Sequence, residues 1–111
     1  MVSQTNPTSI NRDFVLSTLK KHSEDIQNLG VKSLALFGST ARNEATADSD
    51  LDFLVEFNAE ITFKRYMKLK FFLEDLFNKN VDLVIKTDLK PQIKENVIKE
   101  AIYVPSSSPL S

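Results

Sequence analysis

The sequence contains no cysteine, no tryptophan and only two glycines among its 111 residues. Without cysteine, the chain can form neither a disulfide framework nor a thiolate metal site. It also lacks an apolar stretch long enough to span a membrane, and its first residues lack the apolar core of a signal peptide. We therefore expect a cytoplasmic protein.

Neither sign of charge is in excess. The 14 basic and 15 acidic side chains give a formal net charge of -1. This balance argues against a broad, charge-driven nucleic-acid surface, although a metal and a few donors can still bind a nucleotide locally. The length and the hydrophobic fraction of 41% are typical of one soluble globular domain with a single core.

The pattern of apolar residues predicts an α/β (α+β) fold, with a small mixed β-sheet flanked by helices in the order α-β-α-β-α-β-α. We expect a flexible arm at residues 1–11, one domain at residues 12–104 and a disordered tail at residues 105–111. The predicted elements are a helix from Asn11 or Arg12 to Leu29, a strand at 31–37, a short helix at 39–43, a strand at 51–57, a helix capped by Thr62 and ending near Asn78, a strand at 81–85, and a helix from Leu89 or Pro91 to Ile102.

Two apolar runs enclose the stretch that carries the chemistry. The first run stops at Gly38-Ser39, and Asp50-Leu51-Asp52 opens the second run. If the two strands are antiparallel, the connector closes a pocket in which Asp50 and Asp52 project from one face. Neighbouring carboxylates call for a raised pKa or a bound cation, and magnesium favours carboxylates together with substrate phosphates.

Gly38-Ser39 is suited to the phosphate side of such a pocket. A glycine lets the backbone approach a ligand closely, the N-H groups that open the next helix point at an anion, and the Ser39 hydroxyl can donate to a phosphate oxygen. A right-handed crossover from the second strand to the third would place Asp82 beside Asp52. The alternative for Asp82 is a solvent-facing residue of an edge strand.

Gly38-Ser39, ten intervening residues and Asp50-Leu51-Asp52 resemble the GS-x10-DxD signature of DNA polymerase β-like nucleotidyltransferases. With Ala41-Arg42 and Ser49 also present, the chain is most similar to the minimal nucleotidyltransferases, which are often paired with HEPN-domain toxins. The resemblance covers roughly residues 12 to 104. Many members have glycine after the arginine, where this chain has Asn43, a residue type that also tolerates the left-handed conformation.

The resemblance implies a polymerase β-like palm fold and transfer of AMP from ATP to a hydroxyl, with release of pyrophosphate. In this reading, Asp50 and Asp52 hold magnesium, and Asp82 completes a second metal site and helps to deprotonate the acceptor. The implied nucleotide-binding residues are Gly38, Ser39, Arg42 and Ser49. Arg42 could instead pair with Glu44 or Asp48 at the surface, and Ser49 could simply cap or orient its loop.

The resemblance also implies the acceptor. A partner would supply it, since no second domain is evident, and the implied partner is a HEPN toxin that is neutralised by AMP on a tyrosine. A non-catalytic module that masks its partner by contact is the alternative, and transfer to nucleic acid or a small molecule is a third possibility. The presence of all three aspartates favours the enzyme.

Three other features have both a structural and a functional interpretation. His22, the only histidine, lacks catalytic partners in sequence and is expected to pack. The aromatic stripe of the predicted helix from Thr62 is expected to face the core rather than to stack on bases. The basic cluster near the start of that helix fits a solvated face, or less readily contact with a phosphate or an acidic partner. Its members are Lys64, Arg65, Lys68 and Lys70.

Overall fold

The computed structural model describes residues 11–44, 46, 49–58 and 60–104, so the predicted tail and residues 1–10 of the predicted arm lie outside the described residues. None of the described helices has the length and apolar character needed to cross a bilayer. The elements are α1 (Arg12–Lys21), α2 (Ser23–Asn28), β1 (Val31–Phe37), α3 (Gly38–Ala41), β2 (Leu51–Phe57), α4 (Phe63–Phe77), β3 (Val81–Ile85), a 3-10 turn (Lys86–Asp88), α5 (Pro91–Glu100) and β4 (Ile102–Tyr103).

The strands form one mixed sheet in the order β3-β2-β1-β4. Strand β1 is antiparallel to both β2 and β4, whereas β2 and β3 are parallel and are connected through α4. The predicted mixed sheet flanked by helices is therefore confirmed. The fourth strand was not predicted, and it forms an edge only two residues long.

The main core includes one face of the sheet and the apolar sides of α1, α2 and α4. Alternate strand residues point to the same face, which explains why Leu51, Phe53 and Val55 of β2 all belong to this core. The buried core residues of these three helices are Val15, Leu19, Ile26, Leu69, Leu73 and Phe77, and α3 adds Ala41. This packing leaves the opposite face of β2 to carry Asp52.

The predicted first helix is two helices, which meet at His22. The backbone N-H and the ring Nδ1 of His22 both lie within hydrogen-bond distance of the Thr18 carbonyl oxygen, at 3.3 and 3.0 Å. A side chain that competes for a helical carbonyl favours a break at that point. The His22 ring also makes an edge contact with Phe72, with centroids 6.2 Å apart, which supports the predicted packing role.

Helix α4 begins where the sequence predicts it, because the Thr62 side chain accepts a hydrogen bond from the Arg65 N-H. The expectation that the whole aromatic stripe faces the core is wrong at Phe63, whose side chain is 80% exposed. Phe63 opens the helix, and the core contacts of α4 come from later turns.

Side chains of α4 also occupy the outer backbone groups of the edge strand β3. Tyr66 donates to the Leu83 carbonyl at 2.6 Å, and Lys70 donates to the Val81 carbonyl at 2.7 Å. Lys70 is therefore not a free member of the basic cluster. Occupying an edge in this way leaves fewer backbone groups for pairing with another strand.

Helix α5 has Pro91 in its first turn, as expected, but it ends at Glu100 rather than at Ile102. Ile102 instead pairs with Leu36 in the sheet. The helical spacing of Ile93, Val97, Ala101 and Ile102 predicts a core face for this helix. That prediction is wrong, because no residue of α5 is buried and Ile93 is 48% exposed. The apolar residues keep a helical spacing as far as Ile102, so the sequence predicts a longer helix. A local pattern cannot show that Ile102 pairs with a strand far away in the chain.

Candidate active site

The turn from β1 into α3 places Gly38 directly against Asp52. Phe37, the last residue of β1, is the ladder partner of Asp52, and Gly38 follows it with a φ of +77°. A Cβ atom at Gly38 would collide with the Asp52 carboxylate and would lie 3.0 Å from its Cγ. Glycine is required here both by the backbone conformation and by the close approach of the acid.

Asp52 and Asp82 are direct partners on the parallel strands β2 and β3. This register confirms the predicted placement of Asp82 beside Asp52. Asp50 lies just before β2 and is exposed, so the strand does not fix the direction of its side chain in the way the sequence reading assumed. Asp50 and Asp82 nevertheless both lie close enough to Asp52 to repel its carboxylate, at the end of the sheet where β1 ends.

The Asp52 carboxyl carries the electrostatic cost of this arrangement. Its pKa is raised from 3.8 to about 6, chiefly by burial and then by repulsion from Asp82 and Asp50. The positive charge of Arg42 acts in the opposite direction. A partly buried carboxylate beside two others is the situation that a bound cation relieves.

Arg42, directly after α3, is held by two carboxylates. Its Nε lies 3.0 Å from Glu44, and its NH1 lies 3.1 Å from Glu100 at the end of α5. The Glu44 hydrogen bond, with that of Glu100, raises the pKa of Arg42. The surface pairing with Glu44 that the sequence left open is present, while Asp48 lies outside the described residues.

Ser49 and Asn43 shape the connector. The Ser49 hydroxyl accepts a hydrogen bond from the Thr46 backbone N-H at 2.9 Å, which fits the loop-orienting alternative. Asn43 has a φ of +63°, so it adopts the left-handed conformation expected at this position.

The sequence profile that describes the nucleotidyltransferase domain matches residues 19–104 of the chain. This chain belongs to the nucleotidyltransferase domain family. A relative from Methanocaldococcus jannaschii, named as a candidate protein adenylyltransferase, is 44% identical over 88 residues, covering 78% of this chain and 90% of the relative. The prediction of a nucleotidyltransferase enzyme is thereby confirmed.

Solved structures support the same fold. A minimal nucleotidyltransferase has a TM-score of 0.67 and 40% identity, and the match covers 78% of this chain and 93% of that chain. A complex of a tri-AMPylated Shewanella oneidensis HEPN toxin with an MNT antitoxin matches at a TM-score of 0.53. Its identity is 17%, with coverage of 80% and 73%, so that likeness concerns the fold alone.

The acidic residues of this nucleotidyltransferase fit a divalent cation that is completed by substrate. Among the described residues, no three acidic, histidine or cysteine side chains are placed so that together they could hold a metal ion. Magnesium does not need three protein ligands, because it keeps several waters and binds one or two carboxylates together with substrate phosphates. Asp52, whose burial and neighbours raise its pKa, is a carboxylate of this kind next to the Gly38-Ser39 turn.

Thr40 is a residue of the nucleotidyltransferase turn that the sequence reading missed. It lies in α3 between Ser39 and Ala41 and is 1% exposed. Within the described part of the chain, its hydroxyl is the buried side-chain oxygen for which there is no hydrogen-bond partner. Nothing in a local Gly-Ser-Thr pattern indicates which hydroxyl turns inward, so the burial of Thr40 could not be predicted.

We expect Thr40→Val to raise the free energy of unfolding by about 1 kcal/mol, because it replaces an unpaired buried hydroxyl with a methyl group of similar shape. Chemical denaturation measures this change. Thr40→Ser is the matched control, because it keeps the hydroxyl, loses the methyl group and should be less stable than the wild type. A Thr40→Val protein that is less stable than the wild type would contradict the unpaired state of the hydroxyl.

Proposed function

We propose that this nucleotidyltransferase moves AMP from ATP to a tyrosine hydroxyl of a HEPN-class partner protein, in a magnesium-dependent reaction, and thereby acts as its antitoxin. The observation that carries the proposal is the ladder pairing of Asp52 with Asp82, beside the Gly38-Ser39 turn. Support for AMP and for the partner comes from the names of the M. jannaschii relative and of the S. oneidensis complex.

In this proposal, Asp50, Asp52 and Asp82 hold the magnesium, which, when bound, neutralises phosphate charge and stabilises the attacking and leaving oxygens. The hydroxyl oxygen of the acceptor forms a bond to the α-phosphorus as the bond to the pyrophosphate oxygen breaks. Asp82 helps to remove the hydroxyl proton. Ser39 and the backbone N-H groups that follow Gly38 bind the outer phosphates.

Two further residues have proposed roles in nucleotide binding. Arg42 neutralises the departing pyrophosphate, which requires it to exchange at least one of its bonds to Glu44 and Glu100 for a phosphate oxygen. Ser49 acts through its bond to Thr46, by holding the connector in position.

A contact-only antitoxin is the second candidate. The observation in its favour is that no three acidic, histidine or cysteine side chains of the described residues are placed to hold a metal ion together. Such a protein would bind its partner without modifying it, so complex formation and label transfer separate the two candidates.

The deciding experiment incubates the full chain and a HEPN partner with magnesium and ATP labelled at the α-phosphate. We expect label on the partner with wild type and none with Asp50→Asn/Asp52→Asn. Asp25→Asn/Asp88→Asn, which removes the same charge at two exposed positions, is the control and should transfer normally. A stable complex with no label on the partner would refute AMP transfer and favour the contact-only antitoxin.

Ser39→Ala should weaken ATP binding by about tenfold, the effect of losing roughly one hydrogen bond to a charged group, with little change in stability. Ser39 is only partly buried, which is why we expect the fold to tolerate the change. Isothermal titration with ATP and magnesium measures the affinity, and thermal unfolding measures the stability. Equal affinity in the two proteins would refute the proposed phosphate contact.

A further inference from the structure

A basic cleft lies at the end of the sheet remote from the aspartates. It has a volume of about 310 Å³ and is lined by Asn28, Leu29, Gly30, Thr62, Lys64, Arg65 and Lys68. Gly30 precedes β1 and Gly38 follows it. A seven-residue strand therefore separates the cleft from the acidic residues by about 20 Å, and the cleft is distinct from the candidate active site.

One hydrogen bond orients the side chain of Arg65 at this cleft. Its NH1 donates to the Glu60 carbonyl oxygen at 3.2 Å. Its Cδ and Nε atoms lie 3.3 Å from the point where a Cβ of Gly30 would be. Gly30 has a φ of +88°, so this glycine serves both the backbone turn and the close approach of the guanidinium. An arginine oriented in this way presents its planar fork with little further loss of conformational freedom.

The positive charges of the cleft are not neutralised by ion pairs among the described residues. Lys64, Arg65 and Lys68 form no ion pair with any carboxylate of the described residues. This is notable in a chain with a formal net charge of -1, in which Arg42 and Lys70 do find acidic partners. Three unpaired cations around one concavity complement a ligand with several negative charges.

The surroundings of the cleft favour a peptide over a phosphate chain. Leu29 and Lys68 are shared with an adjoining concavity that also contains Phe71, which is 58% exposed. Asp75 lines that same concavity and would repel a nucleic-acid backbone that continued into it. A peptide can place carboxylates over the cations and an apolar side chain beside Phe71 and Leu29.

We propose that the basic cleft is a docking site for an acidic segment of a protein partner, with carboxylates on Lys64, Arg65 and Lys68 and an adjacent apolar side chain near Phe71. The proposal rests on the proposed function only in taking the partner to be a protein. It concerns recognition at a distance from the aspartates, so catalysis and docking can be separated by mutation.

The test is an NMR titration of the isotope-labelled full chain with a synthetic peptide that alternates glutamate and leucine. We expect saturable shifts of the amide signals of Gly30 and of the first turns of α4. Lys64→Gln/Lys68→Gln should weaken binding by about tenfold, as expected for the loss of two ion pairs. Lys94→Gln/Lys99→Gln, which removes the same charge from exposed positions of α5, should leave the affinity unchanged.

Three results would overturn the docking site. The first is an absence of saturable shifts at the cleft, and the second is equal weakening by the two double variants, which would indicate a diffuse field. The third is tighter binding of inorganic phosphate or single-stranded RNA than of the peptide at the same amides. Arg65→Lys, which keeps the charge but loses the fork, should also weaken binding, and unchanged affinity would refute the role of the oriented guanidinium.

The same variants distinguish this inference from the proposed function. Asp52→Asn should bind the peptide as the wild type does, and Lys64→Gln/Lys68→Gln should keep the wild-type affinity for ATP. Peptide binding without AMP transfer would overturn only the proposed reaction. AMP transfer to a partner without peptide binding would overturn only the docking site.

Discussion

Asp52→Asn is expected to abolish AMP transfer and, at the same time, to make the fold more stable. The carboxyl of Asp52 has its pKa raised to about 6 by burial and then by Asp82 and Asp50. At pH 7 the Asp52 carboxylate is therefore charged in both states, and the charged form has a higher free energy in the folded chain than in the unfolded chain. Asparagine has a similar shape and no charge, so it removes the proposed metal ligand and this penalty together.

The size and the pH dependence of the gain follow from linkage. The full shift corresponds to about 3 kcal/mol, and screening of a carboxylate that is only partly buried reduces the expected gain to about 1–2 kcal/mol at pH 7. Below about pH 4, Asp52 is protonated in both states and there is no penalty. The pKa of Asp52 is higher in the folded state than in the unfolded state. The folded chain therefore loses stability as the pH rises from about 4 through 6 and the carboxyl ionises.

Denaturation of wild type and Asp52→Asn between pH 4 and pH 7, without divalent ions, measures this difference. The two curves should converge at the acid end. Asp75→Asn is the control, because it removes an exposed carboxylate from α4 and should leave the pH profile nearly unchanged. A variant that is less stable than wild type at pH 7 would show that the Asp52 charge is already compensated.

The effect of magnesium on the unfolding temperature is an independent test of the role of Asp52. If Asp52 binds the cation, magnesium should raise the unfolding temperature of wild type but not that of Asp52→Asn, at matched ionic strength with sodium chloride. An equal response of both proteins would remove Asp52 from the metal site, whatever the outcome of the transfer assay.

Gly38→Ala is expected to reduce AMP transfer by at least about a hundredfold and to destabilise the fold by about 2 kcal/mol or more. The alanine side chain would have to adopt a φ of +77° and would collide with the Asp52 carboxylate. Relief requires movement of either the phosphate-binding turn or the acid, and both belong to the proposed site. Transfer kinetics and chemical denaturation measure the two effects.

Gly30→Ala is the matched control, since Gly30 also has a positive φ, of +88°. There the new Cβ would meet only the Arg65 side chain, at 3.3 Å, and a flexible side chain can move. We expect a loss of stability of about 1–2 kcal/mol from the backbone conformation alone, with the rate of AMP transfer retained when the partner is saturating. Equal loss of transfer in both variants would mean that backbone strain, and not the contact with Asp52, explains the effect at Gly38.

Local patterns in the sequence were sufficient for the elements that have their own signals. Alternation and flanking polar residues located β1, β2 and β3 at their observed bounds, and Thr62 marked the start of α4 through its capping hydroxyl. The pairing of Asp52 with Asp82 was also foreseeable, because the right-handed crossover rule restricts how β2, α4 and β3 connect. The break at His22 was not, because the uninterrupted helical periodicity does not show that a ring nitrogen competes for the Thr18 carbonyl.

The sequence by itself determined the fold class, the family and the identity of the acidic and glycine residues of the candidate site, since these depend on residue type and on spacing along the chain. Apart from the pairing of Asp52 with Asp82, only the tertiary structure decided what those residues contact. It placed Asp52 against Gly38, paired Arg42 with Glu100 across 58 positions and drew Ile102 from a helix into a strand. Contacts between residues distant in the chain are selected by packing and burial of the whole domain, and the local pattern at either residue carries no record of them.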